Sequence, residues 1–187
     1  MARDTHETRQ RLLDAARTEF AEHGLEGARV DRIAKAAGVS KERIYGHFGN
    51  KEQLFEAVLS AALADAAELR PGADLTDPAS YAAATFDFHR SNPQLIRLMM
   101  WESLQRQRLT PEAAAQRARF YTEKAQHLGV PGMDSENARF ILYGILALAT
   151  WAQALPVASS MVFGGTPDPD DLRERIEKAI SVLAAPR

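Results

Sequence analysis

The sequence predicts an all-α protein: an N-terminal three-helix unit with a helix-turn-helix, followed by a second, helical domain. Three observations predict it. Apolar residues recur at three- and four-residue spacing, and strand-like alternation is absent. Glycine and proline punctuation cuts the chain into helix-length pieces. Between Val30 and Leu54, two short helical patterns meet at a glycine, and the second is rich in groups that can touch nucleic acid.

The first helix is expected from about Thr5 to His23. Leu12, Ala16 and Phe20 form its inward stripe and Gly24 ends it. Ile33, Ala34 and Ala37 then share one face of a short helix, and the two alanines are small enough for a close crossing. Gly38 suits the left-handed position after that helix. Val39 can pack back into the corner, and Ser40 is a good N-cap for the next helix. Ile44 and Phe48 face inward, which leaves Lys41, Glu42, Arg43, Tyr45 and His47 to point elsewhere. That is how a second helix enters a major groove. Asn50, with Gln53 three residues on, caps a helix from Lys51 to about Leu69. Leu54, Phe55, Val58, Leu59 and Ala62 face inward there, and Arg70-Pro71-Gly72 stops the helix.

Further helices are expected from Pro78 to about Arg90, from Asn92-Pro93 to about Arg106, and from Thr110-Pro111 to about Leu128. Gly129-Val130-Pro131-Gly132 breaks the chain. Asp134 or Ser135 caps a long apolar helix, and Gly164-Gly165-Thr166-Pro167 is a loop. Asp168-Pro169 caps the last helix, with Leu172, Ile176, Ala179, Ile180 and Leu183 on one face. Phe140 to Ala158 approaches the length of a membrane span, but Gln153 and Pro156 interrupt it. The expectation is no membrane, with this stretch serving as a central helix or one that meets a partner subunit.

The chain has 187 residues and a formal charge of −2, so it is no bulk polyanion binder. The charge is uneven, however. Arg29, Arg32, Lys35, Lys41, Arg43 and Lys51 face only Asp31 and Glu42, leaving about +4 on a small unit, enough for a local phosphate footprint. Tyr45, His47 and Lys51 are apt phosphate partners. There is no cysteine, which excludes disulfides and thiolate zinc sites. The first ten residues are polar and charged, so a cytoplasmic location is expected.

The pieces I-A-K-A-A-G-V-S at 33–40, I-Y-G-H-F at 44–48 and K-E-Q-L-F at 51–55 resemble the N-terminal domain of the TetR (tetracycline-repressor) family of bacterial transcriptional regulators. The resemblance covers about the first third of the chain at motif level. It implies a DNA-binding domain over 1–50 and a ligand-binding and dimerisation domain over 51–187. It implies that Ser40, Tyr45, His47 and Lys51 contact phosphates, and that Lys41, Glu42 and Arg43 face base edges. Two departures matter. Glu42-Arg43 stands where many members have Gly-Thr, so large groups replace small ones. Ala28-Arg29 stands where many have threonines, so an Arg29 phosphate contact is expected in place of a hydroxyl contact. Arg43 is the best candidate for direct readout, because arginine pairs bidentately with guanine. Glu42 could accept from cytosine, pair with a neighbouring cation, or repel wrong sequences.

The resemblance further implies a homodimer through the 135–155 and 169–184 helices, although intrachain packing could absorb the same stripes. A dimer would present two heads to a palindromic operator in double-stranded DNA. A small-molecule effector pocket in the second domain is also implied. Phe86, His89, Trp101, Phe120, Tyr143 and Trp151 are its candidate lining, against the alternative that each is plain core. Glu102, beside Trp101, could select a cationic ligand; the favoured reading is a surface carboxylate paired with Arg106.

No catalytic residue, metal site or cofactor is expected. The chain lacks a Gly-x-Ser-x-Gly elbow, a phosphate loop and a His-Glu-x-x-His pair, and its five histidines have no ligand spacing. The rival to a ligand-released repressor is a helix-turn-helix protein-interaction module without a small-molecule ligand.

Overall fold

The computed structural model describes residues 2–68, 76–105, 109–128 and 134–185, the side chains of 2–6, 67 and 68 excepted. Among the described residues there are ten helices and no strand. They are α1 (Ala2–Gly27), α2 (Val30–Ala37), α3 (Lys41–Phe48), α4 (Lys51–Glu68), α5 (Pro78–Ser91), α6 (Pro93–Gln105), α7 (Pro111–His127), α8 (Ser135–Ala154), α9 (Pro156–Phe163) and α10 (Pro169–Leu183). The fold is all-α, as the periodicity predicts.

Two compact units divide the chain: Met1–Glu68 with Pro93–Gln107, and Leu69–Asn92 with Arg108–Arg187. The first contains α1 to α4 and α6. Leu12, Ala16, Phe20, Ile33, Leu54, Phe55, Val58 and Leu59 are completely buried in it, with Ile44 and Phe48 closing the α3 side. The Phe20 and Phe55 rings meet edge to face at 5.1 Å, joining α1 to α4. Arg17 adds an ion pair to Asp65 at 2.6 Å. Truncating one of these large apolar side chains costs about 2–5 kcal/mol. A part-exposed ion pair contributes at most about 1 kcal/mol. The apolar stripe therefore holds the unit together, and the ion pairs set its details.

The second unit packs α5, α8 and α10 around Tyr81, Phe86, Ile141, Ile145, Ala149, Ile176 and Ile180. Ala125 and Leu128 bring in the end of α7. Arg173 ties α10 to α5 through Asp87 at 2.8 Å.

Most of the expected caps form. Thr110 accepts from the Ala113 N–H at 3.3 Å. Asp134 accepts from Glu136 and Asn137 at 3.0 and 2.8 Å. Asp168 accepts from Asp170 and Asp171 at 3.0 and 2.9 Å. Asn92 differs from expectation: its side-chain amide turns back and donates to the Phe88 carbonyl at 2.9 Å, closing α5. The expected stops at Arg70-Pro71-Gly72 and Gly129–Gly132 lie outside the described residues.

Two further differences have clear causes. The first helical segment reaches Gly27, but Gly24 inside it is non-helical, with φ 67° and ψ −177°. And α9 was not expected as a helix of its own. Pro156 sits at its first turn, so the chain bends by 95° after α8 and resumes as a helix. No single helix among the described residues is long and apolar enough to cross a membrane. One face of α8 is buried, while Phe140, Tyr143, Leu148 and Trp151 on the rest of it are exposed.

Candidate nucleic-acid interface

The corner between α2 and α3 is built by its backbone. Gly38 takes φ 68° and ψ 36°, and its N–H reaches the last carbonyls of α2 at Ala34 and Lys35. The Val39 N–H donates to Ala34 O at 3.0 Å, closing the end of the helix. Ser40 is extended, and its hydroxyl accepts from the Arg43 N–H at 3.3 Å. Ser40 thus caps α3, which bears on its assignment as a phosphate contact: its oxygen accepts the cap and its single proton serves the Glu42 carboxylate, so a phosphate must displace Glu42 to receive it. Ala34, Lys35, Gly38, Val39, Ser40 and Arg43 line a shallow depression along this corner.

Around α3 the two faces separate cleanly. Ile44 and Phe48 are buried, whereas Glu42, Arg43 and Tyr45 are exposed and Lys41 and His47 half-buried. Lys41 reaches across to α2 and pairs with Asp31 at 2.5 Å. That hydrogen bond holds the ammonium above its usual range, so it stays protonated. The carboxyl of Glu42 is held below its usual range, first by its own backbone N–H and then by the Ser40 hydroxyl. Glu42 is therefore an anion folded toward the start of α3, where the helix dipole favours negative charge.

Arg29 stands at the N-cap of α2 and offers no side-chain cap. Glu19 on α1 supplies one instead. Its carboxylate accepts the Arg29 N–H at 2.7 Å and grips the Arg32 guanidinium at 2.6 to 2.9 Å. The Arg29 side chain is left on the exposed surface. Lys51, the first residue of α4, donates to the Glu26 carbonyl at 3.1 Å, and Asn50 caps α4 by accepting from Gln53 at 2.8 Å. Arg9 adds a cation 5.4 Å from the Phe48 ring centroid.

Ser40, Lys41, Glu42, Arg43, Tyr45 and His47 thus lie at the α2–α3 corner and along α3, with Arg29 at the start of α2 and Lys51 at the start of α4. Sequence reasoning missed the roles of Glu19 and Asp31, which act on this unit from α1 and α2. Asp31 and Arg9 enter the charge reading only as charges, and neither periodicity nor spacing marks an acidic residue on α1 as a cap for α2.

The candidate effector residues are not gathered in the same way. Trp101 belongs to the first unit, where its indole N–H donates to the Ala21 carbonyl at 3.2 Å. The other five belong to the second. Phe86 and His89 are buried on α5, Phe120 is half-buried on α7, and Tyr143 and Trp151 are exposed on α8. Lys124 lies 4.7 Å from the Phe120 ring centroid and 3.3 Å from the Tyr81 hydroxyl. Glu102 is buried rather than on the surface, and Arg106, its expected partner, lies outside the described residues.

Residues 12–58 match the family model for bacterial regulatory proteins of the tetR family, and residues 77–181 match that for the tetracyclin repressor-like C-terminal domain. The chain is 36% identical over 185 residues to the HTH-type transcriptional repressor SCO4008 of Streptomyces coelicolor, covering 95% of each. Its first third is 50% identical over 62 residues to the HTH-type transcriptional repressor AcnR of Corynebacterium efficiens, spanning 33% of this chain and 31% of that one. Among solved structures, SCO4942 from Streptomyces coelicolor superposes with a TM-score of 0.73 at 33% identity, covering 94% of this chain and 97% of that one.

Proposed function

Since this chain belongs to the tetR family of bacterial regulatory proteins, we propose that it is a homodimeric repressor that binds a palindromic operator and is released by a small molecule. The observation that carries the DNA-binding part is the division of α3. Its apolar pair Ile44 and Phe48 is spent on the core, and its polar residues are turned out beside a run of cations. In this reading Arg43 reads a base, helped by Lys41. Arg29, Ser40, Tyr45, His47 and Lys51 hold phosphates and fix the register. Glu42, an anion at the start of α3, rejects sequences that bring a phosphate or an acceptor edge too close.

Residues 1–50 form the DNA-binding part in this division, and 51–187 bind ligand and dimerise. The exposed apolar residues of α8 and α10, Phe140, Tyr143, Leu148, Trp151, Val182 and Leu183, support dimerisation. A monomer would leave that patch in water. The effector is proposed to bind among Phe86, His89, Phe120, Tyr143 and Trp151 of the second unit; Trp101, held on α1, is left out of this lining. It must bind the released conformation more tightly than the operator-bound one, since equal affinity for both would shift nothing.

A titration of random duplex DNA at increasing salt tests the DNA reading. Phosphate neutralisation gives a steep linear fall in log affinity against log salt, about 0.9 per phosphate contacted. A salt-insensitive interaction, or none, would favour the protein-interaction module.

A further inference from the structure

We propose that Gln105 positions the phosphate-binding lysine: its side-chain carbonyl caps the Leu25–Gly27 turn, whose Glu26 carbonyl in turn holds the Lys51 ammonium. This rests on the reading of Lys51 as a phosphate contact. At Gly24, α1 leaves helical geometry and restarts as a single turn, closed by the Ala28 N–H on the Gly24 carbonyl at 3.2 Å. A restarted turn opens with bare N–H groups that need an acceptor. The acceptor comes from eighty residues away. Gln105 Oε1 takes the Leu25 N–H at 2.7 Å and the Glu26 N–H at 3.3 Å. One turn earlier on α6, the Trp101 indole donates to the Ala21 carbonyl at 3.2 Å, on the other side of the kink. The two α6 side chains therefore bridge the break, one supplying an acceptor and the other a donor. Gly24 is required twice: by its positive φ, and because a Cβ there would stand 2.7 Å from Gln105 Oε1 and 2.8 Å from Trp101 Cδ2.

The far end of the same turn carries the function. Its Glu26 carbonyl accepts from Lys51 Nζ at 3.1 Å. An ammonium has three donors, so one fixed on Glu26 leaves two for a phosphate. A lysine held this way loses less side-chain freedom when it binds. The chain enters α6 directly from the second unit, at Asn92–Pro93. A shift of α6 would withdraw Gln105, loosen the turn and release Lys51, with no change in α3 itself.

The test uses the full-length protein, with binding to random duplex DNA measured across salt. Gln105→Leu removes the acceptor, and Gln105→Asn shortens its reach while keeping the site polar. Both are expected to weaken binding by about three- to tenfold and to lower the salt slope by about one. Gln105→Glu, which keeps an acceptor, is expected to keep the wild-type salt slope, with affinity at high salt, where its added charge is screened, equal to that of the wild type. In a Lys51→Ala background, Gln105→Leu is expected to have no further effect. Additive losses, or a weakened affinity with an unchanged slope, would overturn the proposal and leave Gln105 a prop for α1. An unchanged slope in Lys51→Ala alone would overturn the Lys51 assignment itself, and the proposal with it. Total loss of salt-dependent binding by the wild type would instead locate the failure in the DNA reading.

Discussion

Glu19 of α1 holds Arg32 of α2 through both carboxylate oxygens, at 2.6 to 2.9 Å, with the carboxylate almost completely buried and the guanidinium half in water. With the Arg29 N–H on the same carboxylate, this pair joins the start of α2 to α1. Burial pushes the Glu19 carboxyl up, but the Arg32 hydrogen bond, the Arg29 N–H and the nearby positive charges outweigh it, and the net shift is downward. The contribution to stability is therefore full above the ordinary carboxylate value and is lost as pH falls through the lowered folded value. Glu19→Ala, which strips the cap from α2 as well as the charge from Arg32, is expected to cost about 1–3 kcal/mol in denaturant melts near neutral pH. Glu19→Gln should cost less and should flatten the acid limb of the stability curve. An equal acid limb in Glu19→Gln would count against this assignment.

Lys41 is tied to Asp31 at 2.5 Å in the DNA-free protein. Any base or phosphate contact by Lys41 must compete with that pair. Asp31→Asn removes the competitor and one like-charge repulsion toward DNA. We expect it to raise affinity for random DNA by about two- to fivefold at low salt, with the gain shrinking as salt rises. Discrimination is expected to stay as it is, because operator and random DNA gain by the same factor. A drop in affinity would mean that Asp31 orients Lys41 productively.

The roles proposed for Arg43 and Lys51 separate readout from anchoring. Arg43→Ala should weaken the specific site by about 1–3 kcal/mol and random DNA much less. Lys51→Ala should weaken both equally and reduce the salt slope by about one. Gel-shift or anisotropy titrations on both DNAs check this. Equal losses in both mutants on both DNAs would remove Arg43 from base readout.

The exposed apolar patch predicts the assembly. Tyr143 and Val182 are 71% and 78% exposed in the single chain, on α8 and α10. Tyr143→Glu and Val182→Glu should leave the fold intact, since neither side chain is part of the core. Each should shift the protein from dimer to monomer in light scattering at micromolar concentration. Wild-type monomers under the same conditions would contradict the dimer.

Much of the head was legible because its signals are local. The Leu12–Ala16–Phe20 stripe, Gly38, Ser40 and the Ile44–Phe48 pair each act within a few residues of themselves, and each lies where its spacing places it. What escaped the sequence is long-range or competitive. Glu19 caps α2 from ten residues away and Gln105 caps a turn from eighty, and no periodicity encodes either partner. Asn92-Pro93 shows competition: one amide could serve the helix behind or the helix ahead, and its N–H donors favour the carbonyl behind. Leu155-Pro156 carried the same proline signal as Thr110-Pro111 but lacked a capping side chain, so α9 passed as the tail of an apolar run. Aromatic residues spaced along helices could not be sorted into core, surface and pocket, because the sorting depends on which helices meet. Trp101 shows this most plainly, being committed to α1.

Selection of bound fragments from the source genome, with purified full-length protein at moderate salt, tests the central claim most directly. The account predicts enrichment of a two-fold-symmetric site with half-sites about one helical turn, or a multiple of it, apart. It also predicts that Arg43→Ala loses the enrichment while keeping general DNA affinity. Enrichment of no sequence by the wild type, with only salt-sensitive general binding, would contradict the assignment of α3 as a sequence reader.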